Sequence, residues 1–185
     1  FDMHNLDMKN FHEGKESIQC GKASYEYIAE SIKHALSGKI DAVCTAPINK
    51  VALHMANVPY IGHTEIFAAL TNSADPLTMF QVENMRIFFL TRHVALRQAC
   101  DMVTYDRLMD YAIRCSRALH QLGIDKGTMA IAGLNPHSGD HGLFGNEEDA
   151  IVKAVLDLRQ MGFDVTGPVS ADSVFHQALQ GKYTS

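Results

Sequence analysis

Hydrophobic positions recur along the chain with two alternating periods. Tyr25, Ile28, Ile32 and Leu36 fall at helical spacing and predict a helix over 24–36, stopped by Gly38. The short apolar run D-A-V-C-T at 41–45 predicts a buried parallel strand, ended by Ala46-Pro47. Short helices are expected over 50–55 and over 66–70, the second with Thr64 as its N-cap. Residues 79–82 and 86–90 read as two strands separated by Glu83-Asn84. Thr104 caps a long helix that reaches Leu122 and is closed by Gly123. Residues 128–132 form another apolar strand. A helix over 147–161 carries the stripe Ile151, Ala154, Val155 and Leu158, with Gly162 after it. A short strand at 164–166 and a last helix at 171–179 complete the pattern. The alternation predicts an α/β fold with largely parallel strands and no internal repeat or linker.

Composition narrows this picture by exclusion. The chain has 185 residues, 46% hydrophobic and 20% charged, as expected of a globular protein. Its net charge of −5 lacks the basic field of a nucleic-acid binder. No apolar run approaches the ~20 residues that span a bilayer, and the opening Phe1-Asp2-Met3-His4 has no signal-peptide character. Cys20, Cys44, Cys100 and Cys115 are widely spaced without a C-x-x-C pair, so reduced thiols in a cytoplasmic protein are expected. The start at Phe1 and the stop at Ser185, where an element begins, read as a fragment.

The ten histidines change the picture, because several sit beside glycine or proline at the ends of expected strands. Ligands of open α/β sheets bind beyond the carboxyl ends of strands, and three such ends carry unusual residues. Residues 133–145, G-L-N-P-H-S-G-D-H-G-L-F-G, join a strand to a helix. His137, between Pro136 and a glycine turn, is placed like a metal ligand or an acid–base group, the alternative being a structural loop. His141 reads as a solvated loop histidine. Thr91-Arg92-His93 follows a second strand, so His93 can converge with His137 or be a satisfied strand-end histidine. Two histidines do not close a metal site, which ordinarily takes about three protein ligands. Gly62-His63-Thr64-Glu65 opens a helix, and His63 with Thr64 suits a phosphate or carboxylate at its N-terminus, or only caps it. Lys50, in Thr45-Ala46-Pro47-Ile48-Asn49-Lys50, sits at the wrong end of a helix for the dipole, which suggests an anion in front of it rather than a merely exposed lysine. Asp172 can orient a metal-ligand histidine or simply occupy a first helical turn. The chain has no G-x-G-x-x-G, P-loop or H-E-x-x-H, which disfavours a Rossmann dehydrogenase and a zincin protease.

Taken in order, T-A-P-I-N-K at 45–50, G-H-T-E at 62–65, T-R-H at 91–93, N-P-H-S-G at 135–139 and G-P-V-S-A-D at 167–172 resemble the 4-hydroxythreonine-4-phosphate dehydrogenase family over nearly the whole chain. The resemblance implies an isocitrate/isopropylmalate dehydrogenase-like fold with two α/β/α domains. Residues 1–60 would then belong to the first domain and 61–185 to a central dimerisation and metal-binding domain, truncated at its C-terminal side. It implies NAD as cofactor, bound without a Rossmann fingerprint, and a divalent metal ion such as Zn, Mg, Mn or Co. It further implies a homodimer that shares the metal site between subunits. His93 and His137 match two metal histidines, and a third is expected beyond Ser185. His63 and Thr64 match the residues that contact a phosphorylated substrate. Much of the NAD site is expected further along the chain, so the fragment alone should be inactive.

The 46–50 and 142–145 segments look closer to the branch acting on 4-phosphothreonate or 4-phosphoerythronate than to the pyridoxine-biosynthesis branch. The family also holds dehydrogenases of cis-dihydrodiol dicarboxylates. The implied reaction is oxidation of a secondary alcohol by NAD on a Lewis-acidic metal, with decarboxylation where a carboxylate lies β to the new ketone. Lys50 would neutralise charge or move a proton. A metal-dependent hydrolase and a non-catalytic metal-binding scaffold are the readings from other classes.

Overall fold

The Ser17 side chain accepts a hydrogen bond from the Cys20 N–H and so starts α1, Ile18–Leu36, six residues before the apolar stripe predicts. The computed structural model describes residues 1–140, 143 and 145–185, residue 140 by its backbone alone. His141 and most of the 142–145 segment therefore lie outside the described residues. The chain divides into two compact units, Phe1–Pro76 and Leu77–Ser185. No helix among the described residues is long and apolar enough to cross a membrane.

In the first unit, α1 packs against α2, Lys50–Met55, and α3, His63–Leu70. Ile28, Ile32 and Ile66 are buried together, with Tyr25, Ile48, Tyr60 and Phe67 around them. Of the stripe the helical spacing selects, Ile28 and Ile32 are buried with Tyr25 beside them, whereas Leu36, at the end of the helix, is exposed. Gly21 explains why the first turn of α1 was hard to read. Glycine weakens a helix, yet here α2 crosses so closely that a Cβ on Gly21 would lie 1.9 Å from the Ala52 carbonyl oxygen. Residues 41–49 form no strand: they run as irregular and mostly exposed chain. A strand exists only against a neighbour that takes its hydrogen bonds, and no described strand lies beside this segment.

In the second unit, β1, Met79–Val82, and β2, Met85–Phe88, form an antiparallel hairpin that turns at Glu83-Asn84. The short helix α4, Leu96–Asp101, has no buried residue, and without an apolar stripe it left no sequence signal. Thr104 caps α5, Tyr105–Gln121, as expected. The second sheet pairs β3, Met129–Ala132, in parallel with β4, Val165–Val169, and α6, Asp149–Gln160, lies between them in sequence. Such a connection is what a parallel pair requires. The described sheets are thus one antiparallel and one parallel pair, not the largely parallel sheet of the sequence reading. Leu108 and Ala112 of α5 pack with Ile151, Ala154, Val155 and Leu158 of α6 and with Val165 of β4. The predicted stripe of α6 is entirely buried there.

Cys115 of α5 is buried, whereas Cys44 and Cys100 are exposed. Burial pushes the Cys115 thiol up from 9.0 to about 12. Only thiolates react appreciably, so at pH 8 an alkylating reagent labels Cys44 and Cys100 while Cys115 reacts at least ~100-fold more slowly until denaturant is added. The raised value also carries a sign for stability. Below pH 9.0 the thiol is neutral in both states and costs nothing. As pH climbs from 9.0 towards about 12 only the unfolded thiol ionises, and stability falls. Peptide mapping after timed labelling checks the first statement, and urea midpoints against a Cys115→Ala control check the second.

Candidate functional site

In the first unit, the chain enters α3 through Gly62, which is buried and extended, and no side chain caps the helix. Gly62, not Thr64, is therefore the N-cap: the helix starts at His63, and Thr64 lies within its first turn. Uncapped N–H groups at a helix start attract negative charge. The Nε2 atom of His63 is buried and has no hydrogen-bond partner among the described residues. Lys50, capped into α2 by Asn49, is exposed at its head. Its stem reaches the same helix end, where its Cε lies 3.8 Å from the point a Gly62 Cβ would occupy. His63, Thr64 and Lys50 are thus brought to one place. Glu65 also approaches it, with Oε2 3.5 Å from that point.

In the second unit, two loops carry the predicted metal histidines. The first leaves β2 through Phe89 and Leu90. Arg107 of α5 donates from Nε and Nη2 to the Leu90 carbonyl at 3.1 and 2.8 Å. Arg92 Nη1 donates to Thr78 Oγ1 at 2.8 Å. Directly after these anchored residues His93 takes a left-handed φ of 51° and stands exposed. Such a conformation costs a non-glycine residue about 1–2 kcal/mol, and strain of this kind concentrates at functional positions.

The second loop leaves β3 at Gly133. Asn135 Oδ1 accepts from the backbone N–H of His137 at 3.0 Å and of Gly139 at 3.2 Å. That Asx turn, with left-handed Ser138 and Gly139, projects His137 into solvent. Ala171 N–H donates to the Asn135 carbonyl at 3.4 Å, which draws the loop holding Asp172 to the His137 loop. Asp172 is exposed in the turn before α7, Val174–Leu179, and makes no hydrogen bond to either imidazole among the described residues. Thr91 and Leu134, near the roots of the two histidine loops, line one largely apolar cavity of about 430 Å³ together with β2, α5, β3 and α7.

Two exposed imidazoles on anchored loops are suitable donors for a borderline divalent ion. They are not a whole site: no three His, Cys, Asp or Glu side chains converge among the described residues. The fit is to part of a ligand set. Sequence reasoning missed the anchors Arg107, Asn135 and Glu148, whose Oε1 accepts from the Leu134 N–H at 2.7 Å. Asn135 was legible, because Asn before a Pro-His-Ser-Gly turn favours an Asx bond. The other two act through space and leave no local pattern.

An uncapped helix start in one unit and two histidine-bearing strand-end loops in the other present donors suited to an anion and to a metal ion. Comparison with known proteins places the chain in a family. The family model described as pyridoxal phosphate biosynthetic protein PdxA matches residues 2–185, and the chain belongs to that family. A Clostridium botulinum protein provisionally named D-threonate 4-phosphate dehydrogenase is 57% identical over all of this chain and 55% of its own length. A Fusobacterium nucleatum protein of the same provisional name is 56% identical over the same shares. The crystal structure of a 4-hydroxythreonine-4-phosphate dehydrogenase from Klebsiella pneumoniae superposes with a TM-score of 0.86 at 36% identity, covering 97% of this chain and 54% of that one. The chain thus spans about half the length of the relatives it matches.

Proposed function

We propose that this chain is the part of a divalent-metal-dependent, NAD-linked dehydrogenase that grips a 4-phosphorylated hydroxy acid and supplies two ligands to the metal. The observation that carries the reading is the chain's 57% identity to a relative provisionally named for D-threonate 4-phosphate, with His63, Thr64 and Lys50 gathered at one uncapped helix start.

The amides of the first turn of α3, the Thr64 hydroxyl and the His63 imidazole donate to the phosphate, and the Lys50 ammonium neutralises it. A phosphate dianion uses all of these at once, since it offers several strong acceptors and concentrated charge. His93 and His137 hold the metal from exposed loops, with the remaining ligand supplied from outside the described residues, in a homodimer from the second subunit. Asp172 orients the His137 side of the site. When bound, the ion and the nicotinamide would supply Lewis-acid lowering of the hydroxyl pKa and a hydride acceptor, so that the secondary alcohol would become a ketone with one proton released, and a carboxylate β to that ketone would leave as carbon dioxide with a proton taken up at the carbon left behind.

Lys50→Met should raise KM for the phosphorylated hydroxy acid about 10–100-fold with a smaller change in kcat, because the ammonium binds the end of the substrate that does not react. The dephosphorylated acid should be turned over poorly and equally by wild type and variant. Steady-state kinetics of the full-length protein with both acids test this. A variant with unchanged KM for the phosphorylated acid would remove Lys50 from the anion site. Equal kcat/KM for both acids would remove the site itself.

A further inference from the structure

Glu148 is the one charged residue buried among the described residues, at 6% exposure. It precedes α6 as its N-cap, yet its side chain makes no cap bond. Instead Oε1 reaches across fourteen residues to accept the Leu134 N–H at 2.7 Å. Burying a carboxylate costs free energy, and forgoing the cap gives up roughly 1 kcal/mol more, so the position calls for a compensating role. Oε2 is buried without a partner among the described residues, and so is the Ser138 hydroxyl. The two side chains converge over Gly133, where an added Cβ would meet Ser138 Oγ at 2.4 Å and Glu148 Oε1 at 2.7 Å. Leu134 and Ser138 flank His137 on either side.

We propose that Glu148 is a positioning residue for the His137 loop, its carboxylate accepting from the Leu134 N–H at the loop's start while its second oxygen stands ready for the hydroxyl of Ser138, the residue after His137. The inference rests on the reading of His137 as a metal ligand. Its physical basis does not, since it consists of a buried acceptor, a held amide and a glycine that leaves room for both. A Cβ at 133 would push both side chains out of place, and only an acceptor on a side chain of this length reaches the amide. The start of α6 adds its dipole, which favours negative charge at this point. Metal-ligand imidazoles depend on such outer groups for their orientation, and losing one ordinarily costs 10–100-fold in metal affinity.

The test uses the full-length protein with Glu148→Ala, Glu148→Gln, Glu148→Asp and His137→Ala, reading amide exchange at Leu134 and cobalt affinity by titration. Glu148→Ala should speed exchange at Leu134 about 100-fold, leave the amides paired between β3 and β4 unchanged, and weaken cobalt binding 10–100-fold. Glu148→Gln, which keeps an oxygen acceptor of the same reach, should restore both to within about threefold. Glu148→Asp, one methylene shorter, should behave like Glu148→Ala, and it decides the matter if the alanine variant does not fold. Protected Leu134 in the alanine and aspartate variants, or a glutamine variant as impaired as alanine, would overturn the proposal. So would normal cobalt affinity in a variant whose Leu134 is exposed to exchange, provided His137→Ala abolishes binding. If His137→Ala binds cobalt normally, the metal reading fails instead, and Leu134 exchange still decides whether the carboxylate holds the loop.

Discussion

His93→Ala with His137→Ala leaves the full-length protein folded and lowers kcat/KM by at least about 10³-fold, with cobalt or zinc affinity falling in parallel. Both imidazoles are exposed, so their removal takes no packing from the core and should change stability by no more than ~0.5 kcal/mol at 137. Alanine at 93 adds little to this, because the histidine it replaces already bears the cost of the left-handed φ of 51°. Against this stand the several kcal/mol of charge stabilisation a Lewis-acidic ion contributes, which correspond to the expected loss of turnover. Circular dichroism, metal titration and steady-state kinetics on one preparation separate the effects. Full metal affinity in the double variant would sink the assignment of both histidines.

Gly21→Ala should destabilise the protein by about 3 kcal/mol or more, against what helix propensity predicts. Within a helix, glycine to alanine ordinarily stabilises by up to about 1 kcal/mol. Here the new Cβ would lie 1.9 Å from the Ala52 carbonyl oxygen, 2.3 Å from its carbon and 2.9 Å from Leu53 N. All three are backbone atoms that no rotamer change moves aside, so α1 and α2 must separate, and Ala52 and Leu53, both buried, lose their packing. Overpacking therefore outweighs propensity. Urea denaturation of wild type and variant checks it, and a variant as stable as wild type would mean that the two helices do not cross this closely.

The elements that could be read from sequence are those whose signals are local. The long helix after Thr104 was bounded by its own cap and closing glycine, and Glu83-Asn84 marked the break between the two short strands. The first turn of α1 was missed because Gly21 answers to a helix crossing thirty residues away in sequence. The apolar run at 41–45 looked like a strand from its side chains, but pairing depends on a neighbour. At the candidate site the histidines stood out by residue type beside proline and glycine. The side chains that hold their loops, Arg107 on Leu90 and Glu148 on Leu134, act across seventeen and fourteen residues and could not be foreseen. The N-cap of α3 lies two residues before the expected one, since Thr64 is a good capping type but the extended, buried Gly62 takes the position.

The central claim is a metal-dependent oxidation by NAD, and NADH formation by the full-length protein tests it most directly, measured with D-threonate 4-phosphate in the presence and absence of a chelator. The account predicts NADH in step with substrate loss, abolished by chelation and restored by added divalent ion. Substrate consumption without NADH, or NADH formation indifferent to the chelator, would contradict it.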